Sequence, residues 1–300
     1  MWRQLRARCR PGSLTGTGGV ATVSRSPADA LTEVHLDAGS LLSLDAHAHF
    51  DPSRSSDELE QAGTVLAMTL SLDEAAAAVR RREQLIAWGV GCHPRMAKAQ
   101  AAFDPDLFGS LVEKTAVVGE IGLDVRWSRV PMDEQLRVFR HALSVVAKAP
   151  RIVSIHSFTA TALVLEELRR TPIATPILHW WTGTAAETRD AVALGCYFSV
   201  HSAVARRSVF HTAVPPERIL VESDHGWADP PAAVPCRIEW VEHLLSVQLK
   251  RPREDVRRLA WNNLAAIVRE TGTRGLLPPE FARLLDEHSK FSDGVGRLLR

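Results

Sequence analysis

The chain has 300 residues, of which 45% are hydrophobic and 24% charged, with a formal net charge of +1. That composition fits a globular protein with one large domain and a sizeable core. It excludes a protein that coats nucleic acid by bulk charge, and no apolar run has the length needed to span a bilayer. The cysteines Cys9, Cys92, Cys196 and Cys236 form no C-x-x-C pair, so neither a disulfide framework nor a zinc knuckle is expected and a cytoplasmic location fits.

Residues 1–40 stand apart. The opening "MWRQLRARCRPGSLTGTGGVATVSRS" holds five arginines and no acid. It reads as a disordered extension or an upstream start wrongly assigned. A transit peptide is the alternative, because such segments are Arg-rich and acid-poor.

From residue 41 onward, short apolar runs alternate with amphipathic stretches. The runs are 41–46, 65–70, 86–91, 116–121, 152–156, 176–179, 196–200 and 219–223. Between the fourth and fifth, "MDEQLRVFRHALSVVAKA" repeats Leu136, Phe139, Leu143 and Val146 at helical spacing, one apolar face. Eight strand–helix units imply a parallel sheet, and their number predicts an α/β fold of the (β/α)8 TIM-barrel type over residues 41–275. A doubly wound sheet is the rival, but no G-x-G-x-x-G follows an early strand. Residues 276–300 form a tail, with a helix expected around Glu280–His288.

The polar residues fall in one register with this scheme. The first run leads into "LDAHAHFD", with His47 and His49 two residues apart and so on one strand face. The third precedes His93 in "GCHP", and the fourth carries Glu120 in "VVGEIGLD". The fifth ends in His156, the sixth in His179, and the eighth leads to Asp224 in "VESD". Each alone has a plainer explanation as a turn or cap residue. Six together, at the end of the barrel where active sites are built, point to metal. Without His93, the four histidines His47, His49, His156 and His179 and the two carboxylates Glu120 and Asp224 exceed what one catalytic ion takes, which suits two divalent ions, Zn²⁺, Mn²⁺ or Mg²⁺.

Residues 44 to about 270 resemble the TatD family of metal-dependent hydrolases. "LDAHAHFD" resembles the family's D-x-H-x-H-L-D opening, "GVGCHPR" its G-x-H-P segment and "VVGEIGLD" its G-E-I-G-L-D signature. "IHS" resembles the strand-five I-H-S, "LHWWTG" the H-C-F-S-G segment, and "LVESD" the L-x-E-T-D close. The resemblance implies that His47, His49 and Asp224 hold one ion and that Glu120 bridges to a second held by His156 and His179. It further implies Asp224 as general base, His93 on a phosphate oxygen, and Asp124 and Glu222 steadying the ligands. The activity implied is phosphodiester hydrolysis in nucleic acid, DNA before RNA, as 3′–5′ trimming of single-stranded DNA.

Three places depart from the family pattern. Phe158 stands where the family carries arginine, which removes a bidentate phosphate grip. Trp180–Trp181 replaces Cys-Phe; Trp180 is expected to stack on a base and Trp181 to pack beneath a loop. "DHGW" follows the last acid, where His225 contacts substrate, ligates a metal or lies on the surface. His201 is expected to line the mouth at most. Two other functions stay open: a barrel hydrolysing another ester or amide (lactone, amide or aminoacyl-tRNA), and a subunit of a larger defence-type assembly.

Overall fold

In the computed structural model the described residues are 41–227 and 238–289. The expectations for residues 1–40, Cys9 and Cys236, and the end of the tail lie outside them. Eight strands form one parallel sheet in chain order: β1 Leu44–His49, β2 Thr64–Met68, β3 Ile86–Val90, β4 Val117–Gly122, β5 Ile152–His156, β6 Ile177–Leu178, β7 Tyr197–Val200 and β8 Ile219–Val221. Every strand residue is buried. Burial on both faces is why the strands read as unbroken apolar runs and not as alternation. Backbone hydrogen bonds close the sheet just past β8: the Asp224 N–H donates to the His47 carbonyl at 3.0 Å, and the His49 N–H to the His225 carbonyl at 2.7 Å. The fold is a (β/α)8 TIM barrel.

Strand limits differ from expectation in a way that matters for function. β1 starts three residues late and runs through His49, which pairs with Met68 of β2. The two histidines are therefore ladder residues, held by backbone on both sides. β6 shrinks to two residues, so His179 sits immediately beyond it.

Helices cover the barrel. On Met132–Lys148 the buried face includes Val138, Phe139, Leu143 and Val146, but Gln135 points inward while Leu136 is only half-buried. The helix Arg253–Thr271 laces the base: the Trp261 indole donates to the Leu42 carbonyl at 2.8 Å, and the Asn263 amide to the Ile219 carbonyl at 2.7 Å. The helix Pro279–Ser289 lays Phe281 against Trp261, with ring centroids 6.1 Å apart, and the Phe281 N–H donates to the Gln84 carbonyl. No described helix is long and apolar enough to cross a membrane.

Two glycines let the site strands approach. A Cβ on Gly91 would lie 2.3 Å from both the Glu120 nitrogen and the Thr69 oxygen. Gly122 has φ +139°, and a Cβ there would meet the His156 carbonyl at 2.1 Å. Side chains at these positions would push β3, β4 and β5 apart where Glu120 and His156 must meet.

Candidate metal centre

The C-terminal strand ends gather six histidine and carboxylate side chains, all buried, around Glu120. One carboxylate oxygen, Oε2, lies 3.2 Å from His49 Nε2 and 3.5 Å from His47 Nε2. The other, Oε1, lies 2.6 Å from His156 Nδ1 and 3.0 Å from His179 Nε2. Within each pair the imidazole nitrogens are themselves close: 3.2 Å between His47 and His49, and 3.3 Å between His156 and His179. Asp224 Oδ1 joins the first pair at 3.5 Å from His49 and 3.7 Å from His47. Neither Asp224 oxygen has a hydrogen-bond partner among the described residues. Asp224 holds φ +48° and Trp180 holds φ +42°, left-handed backbone that persists only where the surroundings enforce it.

The far nitrogen of each ring decides what the near one offers. His49 Nδ1 faces the Met68 carbonyl at 3.2 Å, and His156 Nε2 faces Asp124 Oδ2 at 3.0 Å. Both must donate there, which leaves His49 Nε2 and His156 Nδ1 with lone pairs for the cluster. His179 Nδ1 faces Glu222 Oε1 at 3.4 Å, and His47 Nδ1 meets the Ser154 hydroxyl at 2.8 Å. Carboxylate and carbonyl partners of this kind orient metal-binding imidazoles. His93 is the reverse: its Nδ1 accepts the Arg95 backbone N–H at 3.0 Å, so its proton sits on Nε2, 3.3 Å from Glu120 Oε2. Distance alone places His93 in a triad with Glu120 and His156 that could hold a cation. The tautomer makes it a donor instead.

Charge follows this geometry. Burial alone pushes His49 down, but the neighbouring Asp224 and Glu120 carboxylates outweigh it and raise the imidazole to about 10. His156 and His179 also rise: burial opposes, and the Glu120 charge prevails. Burial would raise Glu120 and Asp224, yet the surrounding histidines hold both below the usual carboxylate range. His93 is pushed down to about 4 by burial. Protons and a cation thus compete for the same nitrogens. The triads His47–His49–Glu120 and His47–His179–Glu222 could each hold a cation as well.

The supporting residues are split between those visible in sequence and those not. Asp124 accepts from His156, and Glu222 accepts the Trp180 N–H at 2.7 Å and the Ser199 hydroxyl. Gln135 was not singled out from the sequence, yet it fixes Asp124 by accepting its N–H at 2.8 Å and donating to its carbonyl at 3.2 Å. Asp45 was likewise passed over. It accepts from the Ser223 and His47 N–H groups and from the Ser223 hydroxyl, tying the β8 exit to β1, and burial raises its carboxyl to about 7. The acid of "LDAH" and the glutamine on an apolar helix face were the available signals.

Among the expected substrate contacts, Trp180 is half-buried with its ring 3.9 Å from that of His201. Trp181 is fully buried and donates its indole N–H to Thr188 at 2.8 Å. His225 is buried as well, with its ring 5.5 Å from Phe50, so a surface position is ruled out.

A TIM barrel whose rim collects imidazoles around one carboxylate is the architecture of a metal-dependent hydrolase. The family model described as TatD related DNase matches residues 44–269, and the chain belongs to the TatD family of metal-dependent hydrolases. It is 28% identical over 146 residues to the uncharacterized metal-dependent hydrolase YabD of Bacillus subtilis (strain 168), covering 45% of this chain and 56% of YabD. It is 28% identical over 144 residues to the 3'-5' ssDNA/RNA exonuclease TatD of Citrobacter koseri, covering 45% of this chain and 55% of that protein. The chain spans about half the length of the curated relatives it matches. In fold it resembles YJJV, a TatD homologue from Escherichia coli K12, with a TM-score of 0.65 at 21% identity, over 75% of this chain and 97% of that one.

Proposed function

We propose that the protein hydrolyses phosphodiester bonds in nucleic acid, as a 3′–5′ exodeoxyribonuclease on single-stranded DNA using two divalent ions. The observation that carries this reading is the division of Glu120: each oxygen faces a different pair of imidazole nitrogens. The Citrobacter relative, named a 3'-5' ssDNA/RNA exonuclease, supports a single-stranded substrate and this polarity.

The donor set fits the ions. Close nitrogen pairs, with the lone pairs of His49 and His156 inward, and buried Asp224 oxygens lacking a hydrogen-bond partner are what imidazole–carboxylate ligation of Zn²⁺ or Mn²⁺ satisfies. His47, His49 and Asp224 would hold one ion and His156 and His179 the other, with Glu120 shared between the two sets. Two ions there supply an acidified water and charge neutralisation at a phosphoryl centre. Asp224, kept ionised by the histidines around it, accepts the proton of the attacking water as general base. His93 donates its Nε2–H to a phosphate oxygen. Asp124 keeps His156 in the ligating tautomer by its hydrogen bond, and the Glu222 carboxylate faces His179 Nδ1. Trp180 stands next to His179 as a contact for the substrate, and His225, whose ring packs on Phe50, is a second such contact.

The test is purified protein with Mn²⁺, Mg²⁺ or Zn²⁺ and 5′-labelled single-stranded DNA. Progressive shortening from the 3′ end, abolished by EDTA, is expected. Glu120→Ala should lower turnover roughly a thousandfold or more, about 4 kcal/mol of transition-state stabilisation, and deplete both ions. Intact DNA alongside cleavage of a lactone, an amide or an aminoacyl-tRNA would replace this reading with the other hydrolase class.

A further inference from the structure

Two arginine–tryptophan pairs border the cluster, and neither belongs to the metal-holding set. The Arg95 guanidinium lies over the Trp227 ring, 4.9 Å from its centroid, and the same indole stacks on His93 at 4.7 Å and 25°. Arg126 lies over Trp127 at 5.2 Å. The loops carrying them are joined: the Ser128 hydroxyl donates to the Pro94 carbonyl at 2.8 Å, and Asp124 receives the Trp127 N–H at 2.7 Å while sitting 3.9 Å from Arg95 Nε. Trp127 is 48% exposed, an unusual position for an indole on a loop anchored this firmly.

Charge says what Arg95 faces. Four carboxylates touch the imidazoles (Glu120, Asp124, Glu222 and Asp224), and two divalent ions would cancel them. A phosphodiester then meets a neutral cluster with no surplus attraction. Phe158 supplies none. The Arg95 guanidinium makes no hydrogen bond among the described residues; its ion pair with Asp124 is at the long limit, and its side chain is 31% exposed. A planar fork held over an indole at the edge of the cluster is suited to phosphate.

We infer that Arg95 and Trp127 form a strand-binding rim: Arg95 grips a backbone phosphate next to the scissile one, and Trp127 stacks the adjoining unpaired base. Trp227 positions Arg95 by clamping its guanidinium. This rests on the nuclease reading and extends it, because a platform that stacks a base selects a strand whose bases are unpaired.

The test pairs binding with turnover, using holoenzyme reconstituted with Mn²⁺ and fluorescein-labelled single strands, phosphorothioate-protected for the binding arm. Arg95→Gln should weaken binding and raise KM by roughly 10- to 100-fold, more than it lowers kcat. It should also reduce the dependence of log affinity on log salt by about 0.7, one phosphate contact on a single strand. Arg95→Lys should recover part of the affinity. Placing an abasic residue beside the terminal nucleotide should cost wild-type protein roughly 5- to 100-fold in affinity, and Trp127→Ala should no longer register that change. Unaltered affinity and salt slope in Arg95→Gln, or an equal abasic penalty in Trp127→Ala, would overturn the inference while wild-type protein still digests DNA. Wild-type protein that neither binds nor cleaves the strands would overturn the nuclease reading beneath it.

Discussion

At the scale of single residues, tautomers separate His93 from the other four histidines of the cluster. Five imidazoles crowd one carboxylate, and by distance alone any of them could ligate. The Arg95 N–H on His93 Nδ1 turns that ring's proton inward. His93→Ala should therefore impair turnover by about 10²–10³-fold, as for loss of a transition-state donor, and leave metal stoichiometry near that of the wild type. Equal loss of metal, read by elemental analysis, would make His93 a ligand. Its protonation has a stability consequence as well. Its value in the fold, about 4, lies below the ordinary 6.5. The unfolded chain thus binds more protons in that window, so this contribution is fully present above 6.5 and is lost as pH falls toward 4. Denaturant titrations of wild type and His93→Gln across that range should converge at the acid end; parallel curves would contradict the assignment.

At the scale of elements, catalytic placement depends on strands that can come unusually close. Glu120 is accessible to both histidine pairs because Gly91 lets β3 lie against it: the Cys92 N–H donates to the Glu120 carbonyl at 3.0 Å, and the Glu120 N–H to Thr69 at 3.1 Å. Gly91→Ala forces a methyl into backbone atoms, which cannot rotate away. The expected cost is about 1–3 kcal/mol of stability, with metal content falling although no ligand has changed. Thermal melts and elemental analysis on the same sample would check it, and unchanged values in both would show that the strands have slack. The tail helix Pro279–Ser289 offers a contrast, because Phe281 is fully buried far along the chain from the motifs. Phe281→Ala should cost about 3–5 kcal/mol without affecting KM, as a denaturation midpoint and a rate assay would show.

At the scale of the whole molecule, the barrel brings together residues from His47 to Asp224, and it does so at considerable electrostatic cost. Buried carboxylates and imidazoles at 2.6–3.7 Å need a partner charge. Ions that bind only the folded state would stabilise it by mass action, about 2.7 kcal/mol per site at a free concentration a hundredfold above Kd. Chelation should then lower the melting temperature by several degrees, and excess Mn²⁺ or Zn²⁺ should restore it. A melting curve indifferent to EDTA would show that the cluster folds around protons instead.

Much of this arrangement was legible before the fold was known. Parallel strands buried on both faces produce contiguous apolar runs, so the eight runs and their punctuation were readable locally. His47 and His49 declared a shared face by their spacing, and the remaining ligand candidates by their place after successive runs. The sequence by itself therefore determined the barrel and the cast of chemical groups, because both follow from short-range periodicity. The tertiary structure alone decided which nitrogen of each ring faces inward, that Glu120 divides its oxygens between two pairs, and that Gln135 and Asp45 brace the site. It also decided that Arg95 lies over Trp227. These outcomes depend on hydrogen bonds and ring contacts between residues far apart in the chain, such as Asp45 with Ser223 and His156 with Asp124, and no local pattern encodes such geometry.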